Sequence, residues 1–148
     1  MTNVQAFERI LNVRTTEKDM AYKTYQDAMD HFEVTATELY HFLKEKEDLE
    51  KDISKGFQSS ISAEQIRNYH SYMQSLNSKI AKLQQAVLHA RQDMESSHDQ
   101  LTERYVEMKK YEKIITHKKN SAKQVEVKKE KELLDEASIQ QFLRRGNR

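Results

Sequence analysis

The sequence contains no proline, no cysteine and no tryptophan, and it has only two glycines, Gly56 and Gly146. A compact domain with many turns needs clusters of glycine, proline, asparagine and aspartate, so these absences argue against such a fold. The lack of cysteine excludes disulfides and thiolate metal sites, and it fits a reducing compartment. The 148 residues are therefore predicted to form one domain built from a few very long helices.

Long apolar runs are missing as well. The longest, such as residues 86–88, are far shorter than the ~20 residues that a membrane-spanning helix needs. Residues 1–14 lack the continuous apolar stretch of a signal peptide. Charged residues make up 33% of the chain and apolar residues only 36%, which argues against a thick globular core. We expect a soluble, cytoplasmic protein.

Charge is distributed unevenly along the chain. Residues 1–57 hold 8 basic and 12 acidic side chains, a net charge of −4, whereas residues 116–148 hold 9 and 5, a net charge of +4. Within the basic segment, glutamates alternate with the lysines, so an unbroken basic face for nucleic acid is missing. This pattern favours a solvated helix face or a protein-binding end over nucleic-acid binding.

A heptad repeat of apolar residues runs through both halves of the sequence. In the first half ten of 14 template positions are apolar or aromatic, and in the second half 13 of 15 are. Such a repeat is typical of a coiled-coil seam. The predicted seam residues are Phe7, Leu11, Tyr25, Phe32, Leu39, Leu49, Ile53, Ile66, Tyr69, Met73, Ile80, Leu83, Val87, Met94, Leu101, Met108, Tyr111 and Ile115.

One break separates the two halves, in the segment "SKGFQSSIS" of residues 54–62. Gly56 is suited to a left-handed C-cap, and Ser62 followed by Gln65 is the pattern of a capping box that begins a helix. The predicted parts of the single hairpin domain 1–148 are helix 4–55, turn 56–61, helix 62–134 with a basic overhang over 116–134, and tail 135–148.

Two long helices joined by a short turn should lie antiparallel. The predicted fold class is therefore all-α, a long two-helix coiled-coil hairpin whose second helix is longer, ~105 Å against ~75 Å. Pairing Ile53 with Ile66 gives a register in which facing residue numbers add up to about 119. This register brings the polar seam residues Arg14, Lys18 and Arg104 close together. Because three cations repel one another, we expect splaying or a partner anion there.

The stretch "NYHSY" at residues 68–72 raises the question of catalysis, since tyrosine, histidine and serine can act as acid, base and nucleophile. The sequence has no glycine-rich phosphate loop and no His-Glu-x-x-His motif, and no two histidines lie three or four residues apart. A two-helix hairpin also lacks a deep pocket. We therefore predict no catalytic residues, no metal site, no cofactor and no enzymatic activity.

Several aromatic residues fall outside the seam: Tyr40, Phe57, Tyr72 and Tyr105. Tyr72 lies near the turn and next to Leu76, a position that suits a protein interface. A second interpretation, that Tyr72 packs along the flank of the seam, stays open. If partner binding is its role, substituting Tyr72 should weaken that binding without loss of helix content.

Four features together resemble the FliJ family of flagellar type III export proteins, over essentially the whole chain. They are a start of the form F-x-x-I-L, the glycine and serine turn at mid-chain, "NYHSYMQSL" just after it, and the closing "DEASIQQF". The resemblance implies a non-enzymatic antiparallel coiled coil similar to the central-stalk subunit of rotary ATPases. It also implies a cytoplasmic location, peripheral at the inner face of the cell membrane only through partners.

The partners that the resemblance implies are the hexameric flagellar export ATPase, the cytosolic domain of the export gate membrane protein, and export chaperones. The protein would couple ATPase to gate and assist delivery of chaperones and substrates. Phe42, Tyr72 and Leu76 match the gate-facing flank of the family. The chain termini would face the ATPase, and the residues expected there are Lys118, Lys119, Lys123, Lys128, Lys129, Phe142 and Leu143.

An alternative interpretation needs no export apparatus. The same heptads could serve a generic coiled-coil tether or scaffold that self-associates through the seam as an open dimer. In that case the two helices of one chain would separate, and each would pair with a helix of the other copy.

Overall fold

A computed structural model describes residues 3–56 and 60–146. Within these ranges the chain forms two helices, α1 (Asn3–Gly56) and α2 (Ala63–Gly146), and no strand. The helices pack against each other, and α2 is the longer of the two. The predicted all-α fold of two paired helices is confirmed.

The helices extend further than the sequence pattern indicated. α1 exceeds its predicted range by a single residue at either end. α2 continues to Gly146, whereas the sequence placed its end near residue 134. No glycine or proline occurs between residues 63 and 145, so nothing in this stretch interrupts the backbone hydrogen bonding.

The start of α2 has the predicted capping box. The backbone N–H of Gln65 donates to Oγ of Ser62 at 3.1 Å, and the backbone N–H of Ser62 donates to Oε1 of Gln65 at 3.2 Å. Ile66 N–H donates to the Ser62 carbonyl at 3.2 Å and closes the first turn. The reciprocal bonds satisfy two amides that a bare helix start would leave unpaired. Residue Phe57 and its neighbours to residue 59 lie outside the described residues.

Gly56 ends α1 in a different way from the one predicted. The prediction of a left-handed C-cap at Gly56 is wrong, because neither glycine has a positive φ. A Cβ at Gly56 would lie 2.5 Å from Cδ1 of Ile61. The absence of a side chain at Gly56 thus lets Ile61 pack directly against the end of α1.

The chain divides into two packing units, and the first, Asp19–Thr102, is called the turn unit. Within it α1 and α2 run antiparallel, since Tyr25 contacts His98 while Glu45, later in α1, contacts Tyr72. These pairs lie close to the predicted register. The core of this unit consists of Met73, Leu76 and Ile80, with Leu39, Phe42, Leu49 and Tyr69 packed against it.

The second unit, called the terminal unit, comprises residues 3–18 and 103–146 of the described chain. Its helix segments also run antiparallel. The rings of Phe7 and Tyr111 lie 6.3 Å apart, and Met108 and Ile115 are buried. Every residue of 121–146 is exposed, so this end of α2 has no packing partner within the described chain.

The heptad positions account for where side chains are buried. None of the predicted seam residues is exposed. Two polar seam positions are buried as well, because Thr35 and Ser97 are each only 6% exposed. Their hydroxyls donate to carbonyls of their own helices, Thr35 to His31 at 2.8 Å and Ser97 to Met94 at 3.0 Å. Such bonds let a small hydroxyl residue occupy a buried position.

We predict that Ser62→Ala lowers the free energy of unfolding by about 1 kcal/mol, because the Gln65 amide loses its acceptor. Urea denaturation followed by circular dichroism measures this value. Ser60→Ala is the matched control, since Ser60 is exposed and precedes the helix; it should change the free energy of unfolding by less than about 0.5 kcal/mol. Equal effects of the two substitutions would contradict the capping role of Ser62.

Candidate functional site

A polar level interrupts the apolar seam in the terminal unit. Oε2 of Glu17 accepts hydrogen bonds from Nη1 of Arg14 at 3.0 Å and from Nη1 of Arg104 at 3.3 Å. Glu17 therefore bridges the two helices between the two cations. The partner anion expected at this level is supplied by the chain itself, as Glu17. Lys18 also has an interaction partner.

Arg14 is held on both sides at this level. Its guanidinium carbon lies 5.9 Å from the centre of the Tyr111 ring. The hydrogen bond and negative charge of Glu17 raise the pKa of Arg14 above its usual range, so the cation is favoured. Nε of Arg14 is buried and has no hydrogen-bond partner among the described residues. The polar level is thus a pairing of charges that links the two helices.

The flank of the turn unit around Tyr72 is the first candidate binding surface, and we call it the tyrosine flank. Tyr72 is 49% exposed, and its phenol O–H donates to Oε1 of Glu45 on α1. An open groove of about 430 Å³ runs beside it. The groove is lined by His41, Lys44, Glu45, Asp48, Leu49, Asp52 and Tyr72. This largely charged surface with one fixed aromatic suits a polar partner segment.

The other two residues expected on this flank lie deeper. Leu76 is only 2% exposed, so the expectation that it contacts a partner directly does not fit the structure; it is a seam residue that supports the flank from below. Phe42 is half-buried against the core, and Nζ of Lys79 lies 5.7 Å from its ring centre. Tyr72 is therefore the exposed member of the predicted set.

The basic end of α2 is the second candidate surface. Two of its predicted lysines are engaged with the start of α1. Nζ of Lys119 lies 3.2 Å from Oε1 of Glu8, and Nζ of Lys118 lies 5.1 Å from the ring centre of Phe7. These contacts attach α2 to the N-terminal turns of α1. Both lysines consequently have a structural role that the sequence pattern did not reveal.

The remaining residues predicted at this end are all exposed. Lys123, Lys128 and Lys129 are among them. Phe142 is 75% exposed and Leu143 is 59% exposed. Large apolar side chains this exposed on an otherwise charged helix are typical of a partner-binding surface.

A third surface, which the sequence reasoning missed, is an open groove of about 530 Å³ in the turn unit. We call it the methionine groove; its lining residues are Met29, Asp30, Phe32, Glu33, Ala36, Thr37, Tyr40 and Met94. A signal for it was present, because Tyr22, Met29, Ala36 and Leu43 recur every seven residues beside the seam. This repeat predicts a second, narrower apolar stripe along α1.

Metal and membrane sites were also searched for. The described residues contain no group of three or more histidine, aspartate or glutamate side chains that could hold a metal ion. Over the same ranges, neither helix is apolar enough along a sufficient length to cross a membrane.

Comparisons with known proteins place this arrangement in a family. The family model described as "Flagellar FliJ protein" matches residues 3–147. The chain belongs to the FliJ family of flagellar proteins. The flagellar FliJ protein of Bacillus subtilis (strain 168) is 30% identical to it over 141 residues, which are 95% of this chain and 96% of the relative. No solved structure is significantly similar to the chain. The expected resemblance to the FliJ family is thus confirmed.

We predict that Glu45→Gln lowers the pKa of Tyr72. In the folded FliJ-family chain the hydrogen bond to Glu45, followed by burial and the charge of Glu45, raises this pKa above the usual value of 10.0. Removing the negative charge should move it down toward that value. Ultraviolet titration of tyrosinate measures the shift, and subtracting the curve of Tyr72→Phe isolates the Tyr72 signal.

The raised pKa of Tyr72 also makes the stability of the folded state depend on pH. A pKa raised by folding means that the protonated phenol stabilises the folded state below pH 10.0. That contribution is lost as the pH rises through the folded pKa. Glu38→Gln is the control, since Glu38 lies on the same helix and is not the acceptor of Tyr72. A Tyr72 pKa that is equal in wild type and Glu45→Gln would contradict the interaction.

Proposed function

We propose that this protein is a non-enzymatic coupling component of the flagellar type III export apparatus. In this proposal it links the hexameric export ATPase to the cytosolic domain of the export gate and assists the delivery of chaperones and substrates. It would work in the cytoplasm and reach the inner face of the membrane through these partners. Membership of the FliJ family over nearly the whole chain is the observation that carries the proposal.

The arrangement of exposed residues supports contact with the ATPase through the end of α2. Residues 121–146 have no packing partner within the described chain, so their side chains are free to enter another protein. Phe142 and Leu143 present apolar area at one end of this segment. The lysines before them supply positive charge that fits an acidic surface. Apolar anchors surrounded by charge are the usual composition of a specific interface.

The tyrosine flank supports contact with the export gate. Tyr72 is anchored by its hydrogen bond to Glu45 and is still half exposed. A side chain that is fixed before binding loses little conformational entropy in the complex. Because the flank lies in the turn unit and the basic end lies in the terminal unit, one chain has separate surfaces for two partners.

The open-dimer alternative is less well supported. In both units the seam of α1 is filled by α2 of the same chain. An open dimer would have to separate these buried contacts and rebuild them with a second copy.

The first test measures ATP hydrolysis by the purified cognate export ATPase with the full chain added. We expect the wild-type chain to raise the rate. The variant Phe142→Ala with Leu143→Ala should need at least about tenfold more protein for the same stimulation, because both apolar anchors are lost. The matched control changes Leu133 and Leu134 to alanine, since these leucines are similarly exposed on the same helix.

Absence of any stimulation by the full chain would overturn the ATPase part of the proposal. If the control variant loses as much stimulation, the effect depends on the general apolar character of α2. A specific contact of Phe142 and Leu143 would then be contradicted.

The second test measures binding to the purified cytosolic domain of the export gate. We expect Tyr72→Ala to weaken this binding about tenfold with unchanged helix content. Tyr105→Ala is the matched control, because both tyrosines are 49% exposed. Leu76→Ala should instead lower the free energy of unfolding by about 2–5 kcal/mol, as expected of a buried leucine. Unaltered gate binding by Tyr72→Ala would contradict the role of the tyrosine flank.

A further inference from the structure

The methionine groove has a chemistry that neither the tyrosine flank nor the basic end of α2 shares. The apolar residues that line it include Met29, Met94 and Tyr40. The charged residues that line it, Asp30 and Glu33, are both acidic. Unbranched methionine side chains adapt their shape to an incoming apolar group. The groove therefore fits an apolar side chain that is carried by a helix with positive charges around it.

A surface of that composition exists on the same chain, on the exposed part of α2. We call it the lysine face, and its residues are Asn120, Lys123, Gln124, Val127, Lys128 and Lys131. Their spacing of three and four residues places them side by side on the helix. Val127 is 55% exposed and stands among three lysines, along an open groove of about 520 Å³.

The two surfaces are complementary in charge. One is lined by apolar side chains and two acidic ones, and the other by one apolar side chain and three lysines. The lysine face is uncovered, since all of residues 121–146 are exposed. We propose that the methionine groove of one copy binds the lysine face of a second copy of this chain. In the contact, Val127 lies on the methionines while Lys128 faces Glu33.

This contact is weak and depends on concentration and salt. Its charges are exposed, so they attract each other across water and are screened at a distance of about 10 Å at 0.1 M salt and about 3 Å at 1 M. Only a few apolar side chains lose contact with water. Each copy offers both surfaces, so each copy can take either part in the contact.

Self-association is distinct from the proposed coupling function, but it uses some of the same residues. Lys123 and Lys128 belong both to the lysine face and to the basic end proposed for the ATPase. If that proposed function holds, a second copy and the ATPase compete for the same segment of α2. Self-association itself can be measured with the chain alone, so its test does not depend on the export apparatus.

The first measurement is sedimentation equilibrium of the full wild-type chain over increasing protein concentration. We expect the average mass to rise toward twice that of the monomer at about 0.1 M salt and to fall back toward the monomer at about 1 M salt. A chain that stays monomeric throughout the concentration series at low salt would overturn the proposal.

The decisive measurement uses reversed charges. Glu33→Lys places two lysines against each other in the contact, and Lys128→Glu places two glutamates there. Each variant alone should dimerise at least about tenfold more weakly than wild type. When the two variants are mixed, a contact between one copy of each joins opposite charges, so the mixture should self-associate as wild type does. The double variant in one chain should also recover self-association.

Glu38→Lys is the control, because it reverses a charge on α1 outside the methionine groove; it should dimerise like wild type. Circular dichroism checks that each variant keeps its helices, and Asp30→Lys replaces Glu33→Lys if that variant unfolds. Two results would overturn the proposal. One is undiminished self-association of both single variants, and the other is loss in both without recovery in their mixture.

Discussion

The pairing of α1 with α2 along one apolar seam is the interaction on which the rest of this structure depends. A chain with no proline and two glycines cannot make the turns that a layered core requires. Each helix therefore buries its apolar residues against the other, at positions set by the heptad. Many of the large apolar residues that lie outside these positions, such as Tyr72 and Phe142, are exposed and available to partners.

Residues that stabilise the fold and residues that can bind a partner therefore lie within a few positions of each other. Leu76 lies one helical turn after Tyr72, yet it is 2% exposed where Tyr72 is 49% exposed. A substitution at the leucine acts on the free energy of unfolding, whereas one at the tyrosine acts on a surface. The same contrast separates Ile115, which is buried, from Phe142, which is exposed at the far end of α2.

Local patterns predicted much of the fold, because helices obey short-range rules. The heptads anticipated the paired helices, and the spacing of Ser62 and Gln65 anticipated the capping box. Contacts that depend on the exact placement of side chains were missed. Glu17 bridges to Arg104, and Ile61 packs on Gly56, through side-chain positions that a one-dimensional pattern does not contain. The methionine groove was missed because the apolar stripe along α1 is narrow and lies beside the more regular apolar seam.

At the exposed end of α2, the stability of the helix is coupled to the binding of a partner. Most helical stability in proteins comes from packing of an apolar face, and residues 121–146 have no such packing in the described chain. Short-range terms such as helix propensity are what hold this segment in helical form. A partner that covers Val127, Phe142 or Leu143 therefore adds the missing tertiary contacts. A partner that binds only the helical form stabilises it by RT ln(1 + [L]/Kd), so the stability of this unpacked segment depends strongly on a partner.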